Sequence, residues 1–259
     1  MKFKDAYCTT LNKLLTIEDV VYLYKNEKKH YKDLIEKNLL CPECKQPHLS
    51  YNNGSTPYFS VYPKAQHAEG CSLKQDEMSS KQTAEFINDS ENEPLVLRQM
   101  ESVLVMLMGN NSPSVKKAKE TTSQENSNEE KIKKNANSTS KRIPQKRIDS
   151  KFETEDFDCD KIFYGSVHLK WEKDKQIKDG KEQEYHKILL YGTKKYNYKK
   201  LVCKLKISPL VYYHLPPEYK NQTEYDCNIV FIAKFKNYFH TYQSTSIRKS
   251  QLITLEKII

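Results

Sequence analysis

Glycine is scarce in this chain, with six in 259 residues, at positions 54, 70, 109, 165, 180 and 192. A phosphate-binding loop or a dinucleotide fingerprint needs several glycines close together, so that backbone N–H groups can approach an anion. Neither motif can be built from glycines so far apart. Long apolar runs are also missing: no segment approaches the roughly 18 consecutive apolar residues of a membrane span, and the opening MKFKDAYCTT has no signal-peptide core. A soluble, cytoplasmic chain with no membrane partner is expected. Cysteine is present, but its seven residues are an odd number, unevenly spread. That argues against a disulfide framework and for a reducing compartment with some thiolates on metal.

Charge is abundant and unevenly placed. Residues 1–75 hold 11 Lys and Arg against 8 Asp and Glu, residues 76–159 hold 13 against 16, and residues 160–259 hold 19 against 10. The last hundred residues alone account for the net charge of +9. Clustered cations raise the local potential and speed encounter with phosphates, which points to a polyanionic partner.

The densest chemistry lies in CPECKQPHLSYNNGSTPYFSVYPKAQHAEGC, residues 41–71. Cys41 and Cys44 form a Cys-x-x-Cys knuckle, and His67 and Cys71 form a second pair beyond a hairpin whose turn is Asn52, Asn53 and Gly54. Zinc takes four thiolate or imidazole ligands in a tetrahedron. A closed, structural Zn2+ site of Cys41, Cys44, His67 and Cys71 is therefore expected, with His48 as the alternative histidine. Upstream, Thr16 can cap a helix in which Ile17, Val20, Val21 and Tyr24 recur at helical spacing.

The knuckle, the hairpin aromatics Tyr58 and Phe59 and the HAEGC end resemble the N-terminal zinc-binding region of CoiA-like competence proteins. The resemblance covers about 35 residues. It implies zinc and a setting near DNA, and brings no catalytic residue with it. The nuclease-like domain of that family has no counterpart after Cys71.

From residue 93 to 109, EPLVLRQMESVLVMLMG predicts one helix with Pro94 in its first turn and Gly109 past its end. The helix 94–108 is apolar on most of its circumference. It completes the core of the N-terminal domain, or it serves self-association or a protein partner. The polar run from 110 to 151 has no apolar periodicity and reads as a disordered linker, taken as far as 157 where strand patterning begins. The domains expected are a zinc-binding domain over 1–109, a linker over 110–157 and a β-barrel over 158–259.

The last segment alternates in the manner of strands. Phe163, Val167, Leu169 and Trp171 are the apolar positions of the first. YHKILLYG, LVCKLKI, NIVFIAKF and SQLITLE follow, and between the third and fourth a short helix is capped by Ser208 with Pro209 at its first position. Three strands, a short helix and two strands is the order of a five-stranded Greek-key barrel, so the segment resembles an OB-fold, with an SH3-like or other small barrel as the alternative. The fold class expected is α+β: a small zinc-stabilised α/β domain, a linker and a small OB-like barrel.

Eleven of the eighteen tyrosines lie within 160–259, many beside lysines. YGTKKYNYKK (191–200) and AKFKNYFHTYQ (233–243) are the densest stretches. Single-strand binders combine a basic groove with aromatic faces on which bases stack. The expected contacts are Tyr191, Lys194, Lys195, Tyr196, Tyr198, Lys199 and Lys200 in the first stretch, and Lys234, Lys236, Tyr238 and Phe239 in the second. Two-metal nuclease chemistry would need converging carboxylates, and Asp160, Glu172 and Glu184 with Lys187 are the one set available. The reading is a non-enzymatic binder of nucleic acid, single-stranded DNA or RNA favoured. A protein-interaction adaptor or defence-system subunit is the first alternative and an accessory nuclease the second.

Overall fold

The computed structural model describes residues 2–109, 141–150, 152–178, 181–192, 200–220, 222–236, 243–247, 249 and 252–258. Residues 110–140, most of the linker expected from composition, lie outside the described residues. The chain divides into two compact units, Met1–Asp76 with Val105–Arg142, and Glu77–Leu104 with Ile143–Ile259.

In the first unit, strands β1 (Asp5–Cys8) and β2 (Lys13–Thr16) form an antiparallel hairpin. Helix α1 (Ile17–Asn26) begins where the sequence placed it. The Thr16 hydroxyl accepts from the Asp19 N–H and the Asp19 carboxylate accepts from the Thr16 N–H, closing a capping box. The short α2 (Lys28–His30) runs into a π-helical turn, Tyr31–Ile35, and β3 (Leu39–Leu40) then pairs with the free side of β1. Strands β4 (Leu49–Asn52) and β5 (Tyr58–Val61) make the expected hairpin. Phe3, Leu15, Val20, Ile35, Leu39, Leu49 and Phe59 form the core between these elements.

The second unit contains α3 (Ser80–Asn88) and α4 (Glu93–Met108) up to Leu104, whereas the sequence grouped both helices with the zinc segment. Helix α3 had a readable start: Ser79 and Gln82 form a capping box of the Ser-x-x-Gln kind. On α4, Val96, Met100 and Val103 are buried at spacings of four and three, so the stripe that could have served a partner is covered within the chain.

One mixed sheet dominates this unit. After β6 (Gln145–Arg147) come β7 (Asp160–Lys178), β8 (Lys181–Gly192) and β9 (Leu201–Ile207), joined antiparallel in sequence order. Helices α5 (Pro209–His214), capped by Ser208, and α6 (Pro217–Lys220) lead to β10 (Glu224–Lys234), which returns antiparallel to β7. The spatial order β10-β7-β8-β9 is a Greek key. Two further strands follow, β11 (Gln243–Ile247) and β12 (Ile253–Lys257), and the full order is β11-β9-β8-β7-β10-β12 with β6 beside β7.

A seven-stranded, curled half-barrel therefore stands where five strands were expected. The presumed fifth strand is β12, and it extends the β10 side of the sheet instead of returning to β9. The neighbour of β9 is β11, whose sequence QSTSI has no apolar alternation to betray it. The curl brings β11 near the end of β10, where the Thr245 hydroxyl donates to the Lys234 carbonyl at 3.0 Å.

Residues 141–157 are also not linker. Ile143 and Ile148 are buried, β6 pairs in parallel with β7, and Phe152 lies against Phe163 and Phe235 with ring centroids 5.6 and 5.4 Å apart. Each apolar residue there stands alone among polar ones, so no period reveals it. At Gly165 a Cβ would come 3.0 Å from the Ile148 side chain, so β7 lacks a side chain where the incoming segment crosses it. The concave core holds Phe163, Leu169, Ile188, Leu190, Leu205, Ile229 and Phe231. The opposite positions, Ile162 and Tyr164 on β7 and Val230 and Ile232 on β10, are buried too, and α3 contacts β7. This explains the nearly continuous apolar run in β10: both faces of the sheet are covered there.

Candidate metal centre

Cys41 follows β3 directly. Its N–H donates to the Pro47 carbonyl at 2.9 Å, and its carbonyl accepts from the Lys45 N–H at 3.0 Å, which folds Cys41 to Lys45 into a tight knuckle. The turn closes with Lys45 in the left-handed region at φ 55°. On the other side of the centre, Gly70 at φ 83° lets the chain double back between His67 and Cys71. The hairpin β4–β5 fixes the distance between these two loops.

The four donor atoms of Cys41, Cys44, His67 and Cys71 lie within 4.8 Å of one another. Cys41 Sγ is 3.9 Å from Cys71 Sγ, and His67 Nδ1 is 3.6 Å from Cys44 Sγ and 3.3 Å from Cys71 Sγ. An ion bonded tetrahedrally to sulfur at about 2.3 Å and nitrogen at about 2.0–2.1 Å sets edges of about 3.8 Å between sulfurs and about 3.6 Å between sulfur and nitrogen. These three separations are close to the edges of such a tetrahedron. The donors therefore fit one metal ion, with every coordination position filled by protein. His48, the alternative histidine, is exposed and outside the cluster.

Hydrogen bonding to Cys41 and then burial push the Cys71 thiol far up, and burial pushes Cys44 up and His67 down. Neutral thiols and a neutral imidazole packed this closely exchange only weak S–H contacts. His67 Nε2 is buried without a hydrogen-bond partner, so the polar contacts of the ring are made by Nδ1, toward sulfur.

Sequence reasoning missed Glu43, which sits inside the knuckle. Its carboxylate accepts from the Ser72 N–H at 2.9 Å, the Ser72 hydroxyl at 2.7 Å and the Leu73 N–H at 3.2 Å. It thereby caps the 3-10 turn Ser72–Lys74 and ties the first ligand pair to the second. The partners are 29 and 30 residues away, so no local pattern announces them.

Of the residues expected to contact nucleic acid, Tyr191, Lys200, Lys234 and Lys236 are described. Lys194, Lys195, Tyr196, Tyr198, Lys199, Tyr238 and Phe239 lie outside the described residues. Tyr191 is half-buried beside His168, while Lys200, Lys234 and Lys236 are exposed. The flanking strands are informative. The first stretch leads into β9 at Lys200 and the second into β11 at Gln243, and β9 and β11 are parallel neighbours with Gln243 opposite Cys203. Lys200 and Gln243 are thus offset by three residues, about 10 Å along adjacent strands.

The exposed face of β7 and β8 is different in character. Lys187 and Tyr185 both bond Asp174, Lys170 pairs with Glu172, and His168 Nδ1 is 2.9 Å from Asp226. Cations there already have acidic neighbours. Asp160 and Glu172 are twelve residues apart on one strand, about 40 Å, and Glu172 faces Lys187 across the ladder. Those carboxylates do not converge.

No helix among the described residues is long and apolar enough to cross a membrane. Comparison with known proteins gives no family model, no curated sequence and no solved structure that matches the chain.

Proposed function

We propose that this chain is a non-enzymatic nucleic-acid-binding protein for single strands. Its first unit would be held by a structural zinc ion at Cys41, Cys44, His67 and Cys71. Its second unit would be an OB-like half-barrel that offers Lys- and Tyr-rich stretches to phosphates and bases. Zinc is the choice among metals because three thiolates and an imidazole are a soft, tetrahedral set with no open position for substrate.

The observation that carries the nucleic-acid reading is the pairing of β11 with β9. It makes two basic, aromatic stretches that are forty residues apart in sequence enter the sheet on neighbouring strands. A strand of nucleic acid passing that edge would meet cations and rings from both. The Greek key β10-β7-β8-β9, with a helix between β9 and β10, supports the OB-like description.

A labelled single-stranded oligonucleotide tests the reading. Lys199→Glu with Lys200→Glu is expected to weaken binding of every sequence alike and to flatten its salt dependence. Tyr196→Ala or Tyr238→Ala is expected to weaken it by about 1–3 kcal/mol per ring with the salt slope unchanged. Leu210 and Tyr213, exposed on α5, favour the rival reading of a protein-interaction adaptor. A co-purifying protein without oligonucleotide binding would select it.

A further inference from the structure

Beside the metal centre the first unit has an open cleft of about 500 Å3, lined by Lys37, Gln46, Pro47, His48, Tyr62 and Gln66 among others. The volume is that of a small-ligand site. Both ligand-bearing loops build its walls: Gln46 is two residues after Cys44, and Gln66 immediately precedes His67. The same geometry that joins the two ligand pairs therefore shapes the cleft. The Tyr62 N–H donates to the His48 carbonyl at 3.1 Å, and the Ala65 N–H to the Tyr62 carbonyl at 3.1 Å, which fixes the backbone under the tyrosine ring. Tyr62 nevertheless remains 45% exposed.

The lining sorts by chemistry. The exposed Tyr62 and His48 rings offer surfaces for a planar group. The carboxamides of Gln46 and Gln66 offer donors and acceptors, the chemistry that complements a heterocycle's hydrogen-bonding edge. Lys37 is the cation, and no lining residue is acidic. A planar, hydrogen-bonding group attached to an anion is the description of a nucleotide, and single-stranded bases are free to leave their neighbours and stack on protein rings.

We infer that this cleft is a second nucleic-acid contact: it takes one nucleotide of the bound strand, with the base on Tyr62 and the phosphate at Lys37. The inference rests on the single-strand reading above and adds to it a site in the metal-bearing unit. Joining two such contacts in one chain would raise affinity through effective concentration.

The test uses the full-length, metal-loaded protein and a short thymine oligonucleotide carrying 5-iodouracil, which cross-links to aromatic rings it stacks upon. Irradiation, digestion and mass spectrometry are expected to give a cross-linked peptide containing Tyr62. Tyr62→Ala is expected to abolish that cross-link and weaken binding five- to tenfold, with metal content unchanged. Tyr62→Phe, which keeps the stacking face, should restore affinity. Lys37→Ala is expected to reduce the salt slope by about 0.7, the share of one single-strand phosphate contact. Cross-links confined to residues 185–243, with Tyr62→Ala binding like the parent, would overturn the inference and leave the single-strand reading standing. Failure of the parent protein to retain the oligonucleotide at low ionic strength would overturn both.

Discussion

Replacing Glu43 by alanine probes how the two halves of the metal centre are held together. The substitution removes an acceptor for the Ser72 N–H, the Ser72 hydroxyl and the Leu73 N–H. Hydrogen bonds to a charged group contribute about 1.5–3 kcal/mol each, and buried donors left without a partner cost about 1–3 kcal/mol each. An opposing effect comes from charge, because the carboxylate is 3.6 Å from Cys71 Sγ, a metal thiolate in the loaded site. A divalent ion with three thiolates leaves one net negative charge spread over three sulfurs. About a third of a charge at that distance and an effective dielectric of about 20 amounts to roughly 1.5 kcal/mol of repulsion. Three charge-assisted bonds outweigh it. The expected result is a first unit destabilised by about 3 kcal/mol or more and a metal affinity lower by about 10–100-fold, as for other groups that orient ligands. Competition with a chromophoric chelator measures the affinity, and thermal unfolding of the loaded protein the stability. A Glu43→Ala protein that holds metal more tightly than the parent would show that repulsion dominates and that the carboxylate does not organise the site.

Further outcomes follow from the same structure. Cys44→Ser is expected to drop bound metal well below one ion per chain and unfold the first unit while the second keeps its cooperative transition, because the binding energy of a structural ion is folding energy; elemental analysis and calorimetry decide it. Ile143→Ala is expected to destabilise the second unit by about 2–5 kcal/mol, since the side chain is fully buried; a change within experimental error in urea unfolding would restore the linker assignment. Asp156 bridges Lys146 at 2.6 Å and Lys161 at 2.7 Å. Burial works to raise its carboxyl, but the Glu153 N–H and the two ammonium groups hold it below the ordinary range. Its contribution is thus complete above the unfolded value near 3.9 and is lost as pH falls through the lower folded one. Asp156→Asn is expected to cost about 3 kcal/mol at pH 7, with the gap to the parent narrowing below about pH 4; a gap that is constant with pH would refute the pairing.

What the sequence reveals here is what repeats locally. The two-residue gap in Cys41-x-x-Cys44 and the return at His67 and Cys71 mark the four residues whose donor atoms cluster, because a metal site imposes its geometry on spacing. Thr16, Ser208 and Pro209 mark helix starts, and the turn at Asn53 and Gly54 marks a hairpin, since caps and turns use side chains next to the backbone they serve. The β6 and β11 strands carry no such mark: QKR and QSTSI join the sheet through main-chain hydrogen bonds that any side chain permits. Register and neighbour choice are likewise decided by backbone pairing across long separations, and so five of the seven strands of the half-barrel were legible but the neighbours of β9 and β12 were not. Glu43 was invisible for the same reason, its partners being brought to it only by the hairpin.

The claim that two basic, aromatic stretches act together on one strand of nucleic acid is tested most directly by titrating the full-length protein with a fluorescent single-stranded oligonucleotide at a series of salt concentrations. Log affinity is expected to fall linearly with log salt, by about 0.7 for each phosphate contacted, and the slope to drop by about 1.4 when Lys200 and Lys234 are both changed to alanine. Binding that is absent at low ionic strength, or a slope indifferent to both lysines, would contradict the account.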